Sequence, residues 1–305
     1  MNAIVKNLFH KVANISGNPA GAFNLRLNGK SIGREDSPNV SIVPKKDGNG
    51  FDMYVKAGTR GETVHIPVVV DGDNITDVVT NDFHVGEDCD ILIVAGCGIH
   101  NSGCGQSRHD GIHSFHIKKN AKVVYKETHL GEGKAEAKRI LNPVTNIFLD
   151  DGAEFEMESV QLEGVDSTHR VTRGKLGAQS HLNVTEKLLT EGSQWAKTEF
   201  DLDIDGAGAK ARLVSRSVAK GQSYQEFLSK ITGNAECTGH SECDAIIMDS
   251  AVVKAIPEIT AAHVDASLIH EAAIGKIAGE QLMKLMTLGL SAEEAEARII
   301  NGFLN

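Results

Sequence analysis

One phrase recurs along this chain and leaves few folds open to it: a polar turn, a small residue, a polar residue, then an apolar one that begins a short run. It reads Cys89-Asp90-Ile91, Ala121-Lys122-Val123, Ala153-Glu154-Phe155, Ser180-His181-Leu182, Ser193-Gln194-Trp195, Ala209-Lys210-Ala211, Ser241-Glu242-Cys243 and Ala266-Ser267-Leu268. Several intervals lie near 32 residues and the others are shorter. A short strand pair cannot cover its own apolar edge, so self-similarity at this period points to stacked coils, each covering the one before. A parallel β-helix is the architecture this repeat predicts. A β-sandwich, which also consists of short alternating strands, is the alternative.

The flanks break the pattern. Ile4, Leu8 and Val12, with Val5 and Phe9 beside them, recur at helical spacing until Gly17 and Pro19 end the run. The segments FNLRLNG, VSIVPKK, FDMYVKAG and TVHIPVVV then alternate, or run apolar, between Gly, Asn and Asp turns, as strands do. Near the C-terminus Leu282, Leu285 and Met286 make a second helical stripe that stops near Gly289. Ser291 and Glu294 form a capping box before Ala295, Ile299 and Phe303. The division expected is an N-terminal helix plus short strands over 1–60, a β-helix core over 61–268 and a helical segment over 269–305. Helices at both ends would cover raw solenoid edges or dock a partner.

Composition narrows the functional classes. With 31 basic against 41 acidic residues, the formal charge of -10 opposes a phosphate backbone, which disfavours nucleic acid as a ligand. No apolar run reaches the roughly 18 residues that cross a bilayer, and Lys6, His10 and Lys11 interrupt the N-terminus, so a cytoplasmic protein is expected. Five cysteines, odd in number and widely spread, read as reduced thiols available to metals.

Two stretches carry ligand chemistry. Residues 97–116, CGIHNSGCGQSRHDGIHSFH, hold Cys97, His100, Cys104, His109, His113 and His116, all residue types that bind zinc, iron or copper. Their spacings are not those of a zinc knuckle. Strand alternation puts His113 on the face of Phe115 and His116 on the other, so at least one imidazole points inward and another outward. The second stretch places Cys243 before an apolar strand, where a buried thiol is the plain reading, and His270 next to Glu271, where in a strand only one of the two can aim at a given site.

From Cys243 onward the chain reads ECDAIIMD and then IHEAAIGKIAGEQLMKLMTLGLSAEEAEARIINGF. This resembles the C-terminal signature of the SufB/SufD family of iron-sulfur cluster assembly proteins: a Cys-Asp strand, a His-Glu-Ala extension with Lys-Ile, a helix with Glu-Gln-Leu, a Glu-Glu-Ala cap and a closing Asn-Gly-Phe. The likeness is to short, minimal-system members and covers about residues 80 to 305. It implies a right-handed parallel β-helix with a short N-terminal helix and a C-terminal helical segment. It also implies a scaffold function, in which Cys243 and Glu271, with His270 beside them, hold a transient iron-sulfur cluster. The implied partners are a SufC-type ABC ATPase on the C-terminal helices through Leu282, Leu285, Met286, Ile299 and Phe303, a second copy joined through the β-helix as a homodimer, and acceptor apoproteins. Larger members carry Glu where this chain has Ile269, and Cys where it has Leu304, so a cysteine at that last position is not an essential ligand.

Cys97, His100, Cys104 and His113 then become secondary candidates for handling sulfur or iron. Mixed O, N and S ligation suits a cluster that must be released, whereas four fixed thiolates suit a permanent electron carrier. No G-x4-GK[ST] phosphate loop is present, so ATP hydrolysis falls to a partner. The rival expectation is a metal-dependent hydrolase built from His100, His113 and His116 with Glu271 or Asp110 as base, although no H-E-x-x-H or nucleophile elbow occurs.

Overall fold

The computed structural model describes residues 1–304. Helix α1 (Ala3–Ala13) leads into β1 (Phe23–Leu27), β2 (Lys30–Glu35), β3 (Val40–Pro44), β4 (Gly50–Val55), β5 (Arg60–Asp71), β6 (Thr76–Val85), β7 (Asp90–Asn101) and β8 (Gln106–Ile117). There follow β9 (Lys122–Gly133), β10 (Lys138–Leu141), β11 (Val144–Leu149), β12 (Glu154–Glu163), β13 (Ser167–Leu176), β14 (His181–Thr190), β15 (Trp195–Ile204) and β16 (Lys210–Ala219). The chain closes with β17 (Tyr224–Gly233), β18 (Cys237–Ile247), β19 (Val252–Ala261), β20 (Ala266–Gly275), α2 (Gly279–Thr287) and α3 (Ala292–Leu304).

Successive strands alternate between two sheets, so the chain winds as a parallel β-helix. One sheet runs β2-β1-β5-β7-β9-β12-β14-β16-β18-β20 and the other β19-β17-β15-β13-β10-β8-β6-β4-β3, with β11 continuing β10 between β8 and β13. Apart from the β1/β2 and β3/β4 hairpins at one end, the pairing is parallel. The alternation of the strands sends every second side chain inward, where Phe83 and Phe115 stack with centroids 4.3 Å apart and Phe155 lies 5.0 Å from Phe115.

The recurring phrase is the corner of each coil. Its small residue is buried at Cys89, Ala121, Ala153, Ser180, Ala209 and Cys237, and the residue before it has a positive φ at Asp88, Asn120, Gly152, Gln179 and Gly208. That left-handed turn keeps the ladder going around the bend: the Asn120 N–H donates to the Asp151 carbonyl at 3.1 Å, and the Gly152 N–H to that of Ala178 at 2.8 Å. Two phrases mean something else. Ser193-Gln194-Trp195 turns into the other sheet, and Ser241-Glu242-Cys243 lies within β18, whose real corner is Cys237-Thr238-Gly239, in register with Lys210-Ala211. Glycine at the third position erased the apolar signal there. The interval is ragged because early coils use 12-residue strands such as β7 and β9, whereas β12 to β17 have 10.

Both helical ends lie against the first sheet. Val5, Leu8, Phe9 and Val12 of α1 pack with Phe23, Leu25, Val69 and Leu130, which requires that β7 carry no side chain at residue 98: a Cβ on Gly98 would stand 3.1 Å from Leu8. The capping box forms as expected, the Glu294 N–H donating to Ser291 Oγ at 3.2 Å and the Ser291 N–H to Glu294 Oε2 at 2.8 Å. On α3, Ile300 and Leu304 rather than Ile299 and Phe303 are buried, and they pack with Val218.

The two ends of the solenoid differ. Antiparallel hairpins close the first, whereas β19 and β20 each leave an edge unpaired, with Val252, Ile259, Ile269 and Ile274 exposed. Strand pairing runs past residue 268 to Gly275, so His270 and Glu271 belong to the last coil rather than to a helical segment. Alanine-rich IHEAAIG carries little β signal of its own, and the register of β18 imposes the strand.

Candidate functional site

Parallel pairing fixes which inward side chains stand above one another. In the first sheet one inward column reads Glu127, Ser159, Glu186, Ser215, Cys243 and Ala272. Cys243 is therefore interior, 1% exposed, and a single coil separates it from the open end. Burial, followed by the charges of Glu186 and Asp244, pushes its thiol up to about 12. At rest it is a protonated sulfhydryl.

His270 pairs with Ser241, which faces inward and whose Oγ–H donates to Ser229 Oγ at 2.9 Å. The imidazole thus looks into the same interior as Cys243, two residues along the strand, and both of its ring nitrogens lack partners. Desolvation, then the neighbouring His240, holds it below its ordinary pKa. Glu271 pairs with Glu242 on the outer face, where its Oε2 lies 3.4 Å from His240 Nε2. The pairing of Cys243 with Glu271 implied by resemblance is accordingly split across the sheet within one subunit, while Cys243 and His270 share a face. Around Glu271 the outer face adds Glu242, which accepts from Arg212 at 3.0 Å, and Asp244, raised above the usual carboxylate range by burial and the adjacent Glu242.

The histidine-rich run divides among several environments. Cys97, His109 and His113 point inward and are buried. His100 points outward, its Nδ1 2.8 Å from Asp71. Cys104 is exposed in the β7–β8 turn, whose backbone N–H groups at Cys104 and Gly105 donate to Asp73. His116 faces out from the second sheet, stacked between His84 and Phe148 at 5.0 Å from each. The hydrolase set of His100, His113 and His116 therefore does not converge, and Glu271 lies several coils away. Among the described residues no three His, Cys, Asp or Glu side chains already stand as a metal-binding group.

Between Cys97 and Cys243 the interior carries polar residues that sequence reading passed over. Arg170 donates to Glu127 at 2.6 Å and to His129 Nδ1 at 2.9 Å, and stands 3.3 Å from Glu186. Glu186 also accepts from Thr198 and Ser215, each at 2.8 Å. Glu127 accepts from Tyr125 at 3.1 Å, and Tyr125 from His113. Further back, Arg26 and His109 hold Asp77. Burial opposes ionisation of Asp77 and of Glu127, but these partners pull Asp77 down to about 2 and Glu127 well below the usual carboxylate range. Desolvation lowers His113 to about 4, leaving it neutral. Ser159, Gln161 and Thr172 each keep one buried oxygen unpartnered along this seam. Stacking each strand on the next through its own corner would have found the column, since Glu127, Ser159, Glu186, Ser215 and Cys243 hold equivalent inward positions.

Comparison with known proteins gives this arrangement a context. The family model described as SUF system FeS cluster assembly, SufBD core domain, matches residues 99–238 and 175–303. The chain is 29% identical over 285 residues to an iron-sulfur cluster assembly SufBD family protein of Archaeoglobus fulgidus, covering 90% of this chain and 73% of that protein. It is 27% identical to a SufBD family protein of Methanothermobacter thermautotrophicus, covering 76% of this chain and 56% of the relative. A third SufBD family protein, from Methanocaldococcus jannaschii, is 25% identical over 83% of this chain and 79% of its own length. The match thus spans little more than half of the Methanothermobacter protein. No helix among the described residues is long and apolar enough to cross a membrane.

Proposed function

The chain belongs to the SufBD family of iron-sulfur cluster assembly proteins, and on that premise we propose that it is the scaffold subunit of a SUF-type complex, working in the cytoplasm. Iron and sulfide are its substrates and a transient cluster its product, built at a subunit interface and passed to acceptor apoproteins. The observation that carries this reading is the position of Cys243: inward, one coil from an uncapped solenoid end, with the unpartnered His270 imidazole on the same face.

Two such ends complete one another. Edges of β19 and β20 with exposed Val252, Ile259 and Ile269 are poised for strand pairing with a second copy, and a homodimer joined there sets two Cys243 and His270 pairs near one seam. Glu271 of one subunit, outward-facing at the rim, then supplies carboxylate ligation across that seam rather than beside its own Cys243. The raised thiol pKa keeps Cys243 inert until iron arrives to displace its proton.

Opening that seam needs work, and the chain has no phosphate loop of its own. A SufC-type ABC ATPase supplies it by docking on α2 and α3, where Met286 is exposed and Leu282, Leu285, Ile299 and Phe303 are half-buried. Closure of the ATPase pair would pull on helices anchored to β16 through Ile300 and Leu304. The inward, buried positions of Cys97 and His113 support a role for them in handling sulfur or iron on its way to Cys243, whereas His100 faces outward and Cys104 is exposed.

Anaerobic reconstitution with ferrous iron and sulfide tests the reading. The wild type should develop a labile cluster chromophore and Cys243→Ala should lose most of it while keeping the wild-type circular dichroism. Equal chromophore in the variant refutes the assignment, and stoichiometric bound zinc with hydrolytic activity would favour the rival enzyme.

A further inference from the structure

A cavity of about 10 Å³, room for one water-sized guest, lies inside the solenoid between β7, β8 and β9, lined by Cys97, His109, His113, Glu127 and His129 together with Gly111 and Pro143. It lies within the early coils, far along the chain from the open end, and does not depend on the role of Cys243. Its hydrogen bonding leaves lone pairs rather than donors facing the space. His109 directs Nδ1 at Asp77 Oδ2, 3.2 Å away, so the N–H is there and the lone pair is on Nε2. Tyr125 donates to Glu127 and so accepts from His113 Nδ1–H, which puts the His113 lone pair on Nε2 as well, met only by a long 3.3 Å contact from Asn81.

Both Nε2 atoms converge on the spot that Gly111 leaves empty. A Cβ built there would stand 3.2 Å from His109 Nε2 and 3.4 Å from His113 Nε2. The charges point the same way. Three buried carboxylates, Asp77, Glu127 and Glu186, lie with two buried guanidinium groups, Arg26 and Arg170, while the neighbouring Arg139 and Asp166 pair with one another. Carboxylates thus outnumber guanidinium groups in a low-dielectric interior, and an added cation would offset the excess. The wall is also weakest at this level. Strand β10 ends at Leu141 and β11 resumes at Val144, because Pro143, opposite Gly111, has no N–H for the ladder.

We propose that this cavity binds one divalent first-row cation of the zinc, ferrous or cobaltous type, held by His109 Nε2, His113 Nε2 and the Cys97 thiolate, with Glu127 beside it. This N,N,S set is the one borderline-soft ions prefer, and Asp77 on His109 Nδ1 is the kind of outer partner that orients a metal-bound imidazole. Cys97 has to turn toward the imidazoles on binding and releases its proton as the ion enters.

The metal-free 305-residue chain, titrated anaerobically with Co2+, tests this. Expected is one equivalent bound at this site with a near-ultraviolet thiolate-to-cobalt band and visible ligand-field bands, retained in Cys243→Ala and Cys104→Ser, and lost when Cys97→Ala is added to Cys243→Ala. His109→Gln should weaken binding at least about 10-fold. Gly111→Ala replaces no ligand but sets a methyl group against both Nε2 atoms, in the ion's place; it should abolish the band with a wild-type circular dichroism spectrum. In the Cys243→Ala background, a thiolate band that survives Cys97→Ala or Gly111→Ala, or that never forms, overturns the site.

Discussion

Arg170 is the cation on which the buried seam depends, and its removal has a calculable consequence. It is 3% exposed and lies between Glu127 and Glu186, each 4% exposed. In Arg170→Met the apolar replacement fills much of the volume, so the main loss is electrostatic. Glu127 keeps Tyr125 and His129, and Glu186 keeps Thr198 and Ser215, but neither retains a full positive charge. Breaking a buried pair by removing one partner costs about 3–5 kcal/mol, a large part of the roughly 5–15 kcal/mol that holds a domain folded.

The sign of the pH dependence follows. With Arg170 in place Glu127 is held low, so its contribution is present above its unfolded pKa and fades only in strong acid. Without Arg170, desolvation raises Glu127, and the penalty is full above its new pKa and shrinks as it takes up a proton in acid. Urea unfolding followed by far-ultraviolet circular dichroism at pH 7 and pH 5 reads both effects; midpoints are the quantity to compare, because a stacked repeat need not unfold in one step. Replacing the whole set, Arg170→Met with Glu127→Gln and Glu186→Gln, should recover most of the loss. A single variant within about 1 kcal/mol of wild type at neutral pH, or a penalty equal at both pH values, would refute this account of the seam.

Other expectations follow from the same structure. Asp77, pulled from 3.8 to about 2, contributes about 2 kcal/mol that is present above pH 4 and disappears as the pH falls toward 2; acid unfolding of Asp77→Asn should lack that component. Gly98→Val drives a side chain into Leu8 and should cost about 1–3 kcal/mol, releasing α1 so that limited proteolysis cuts near Asn14 before the solenoid yields. For the homodimer proposed above, Ile269→Lys places a charge on the exposed edge of the last coil and should shift sedimentation from dimer to monomer without loss of secondary structure; a dimer that the variant leaves unchanged, or a monomeric wild type, refutes that interface.

The sequence by itself determined the corners, the two helical ends and the presence of stacked coils. These are local matters: a small buried residue after a left-handed turn, an apolar stripe at helical spacing and a serine three residues before a glutamate each act within a few positions. The phrase at Ala153-Glu154-Phe155 marks the same kind of corner at six of its eight occurrences. Which side chains meet inside was a tertiary matter. Coils of unequal length set the register, and a one-residue slip sends a side chain to the opposite face, so Ser241-Glu242-Cys243 looked like a corner while Cys237 occupied it. For the same reason Cys243 and Glu271, close in the implied signature, lie on opposite faces, while Cys97, His109, His113 and Glu127, drawn from three strands, line one cavity. Their adjacency comes from strand stacking between coils, and nothing in the local spacing of those residues encodes it.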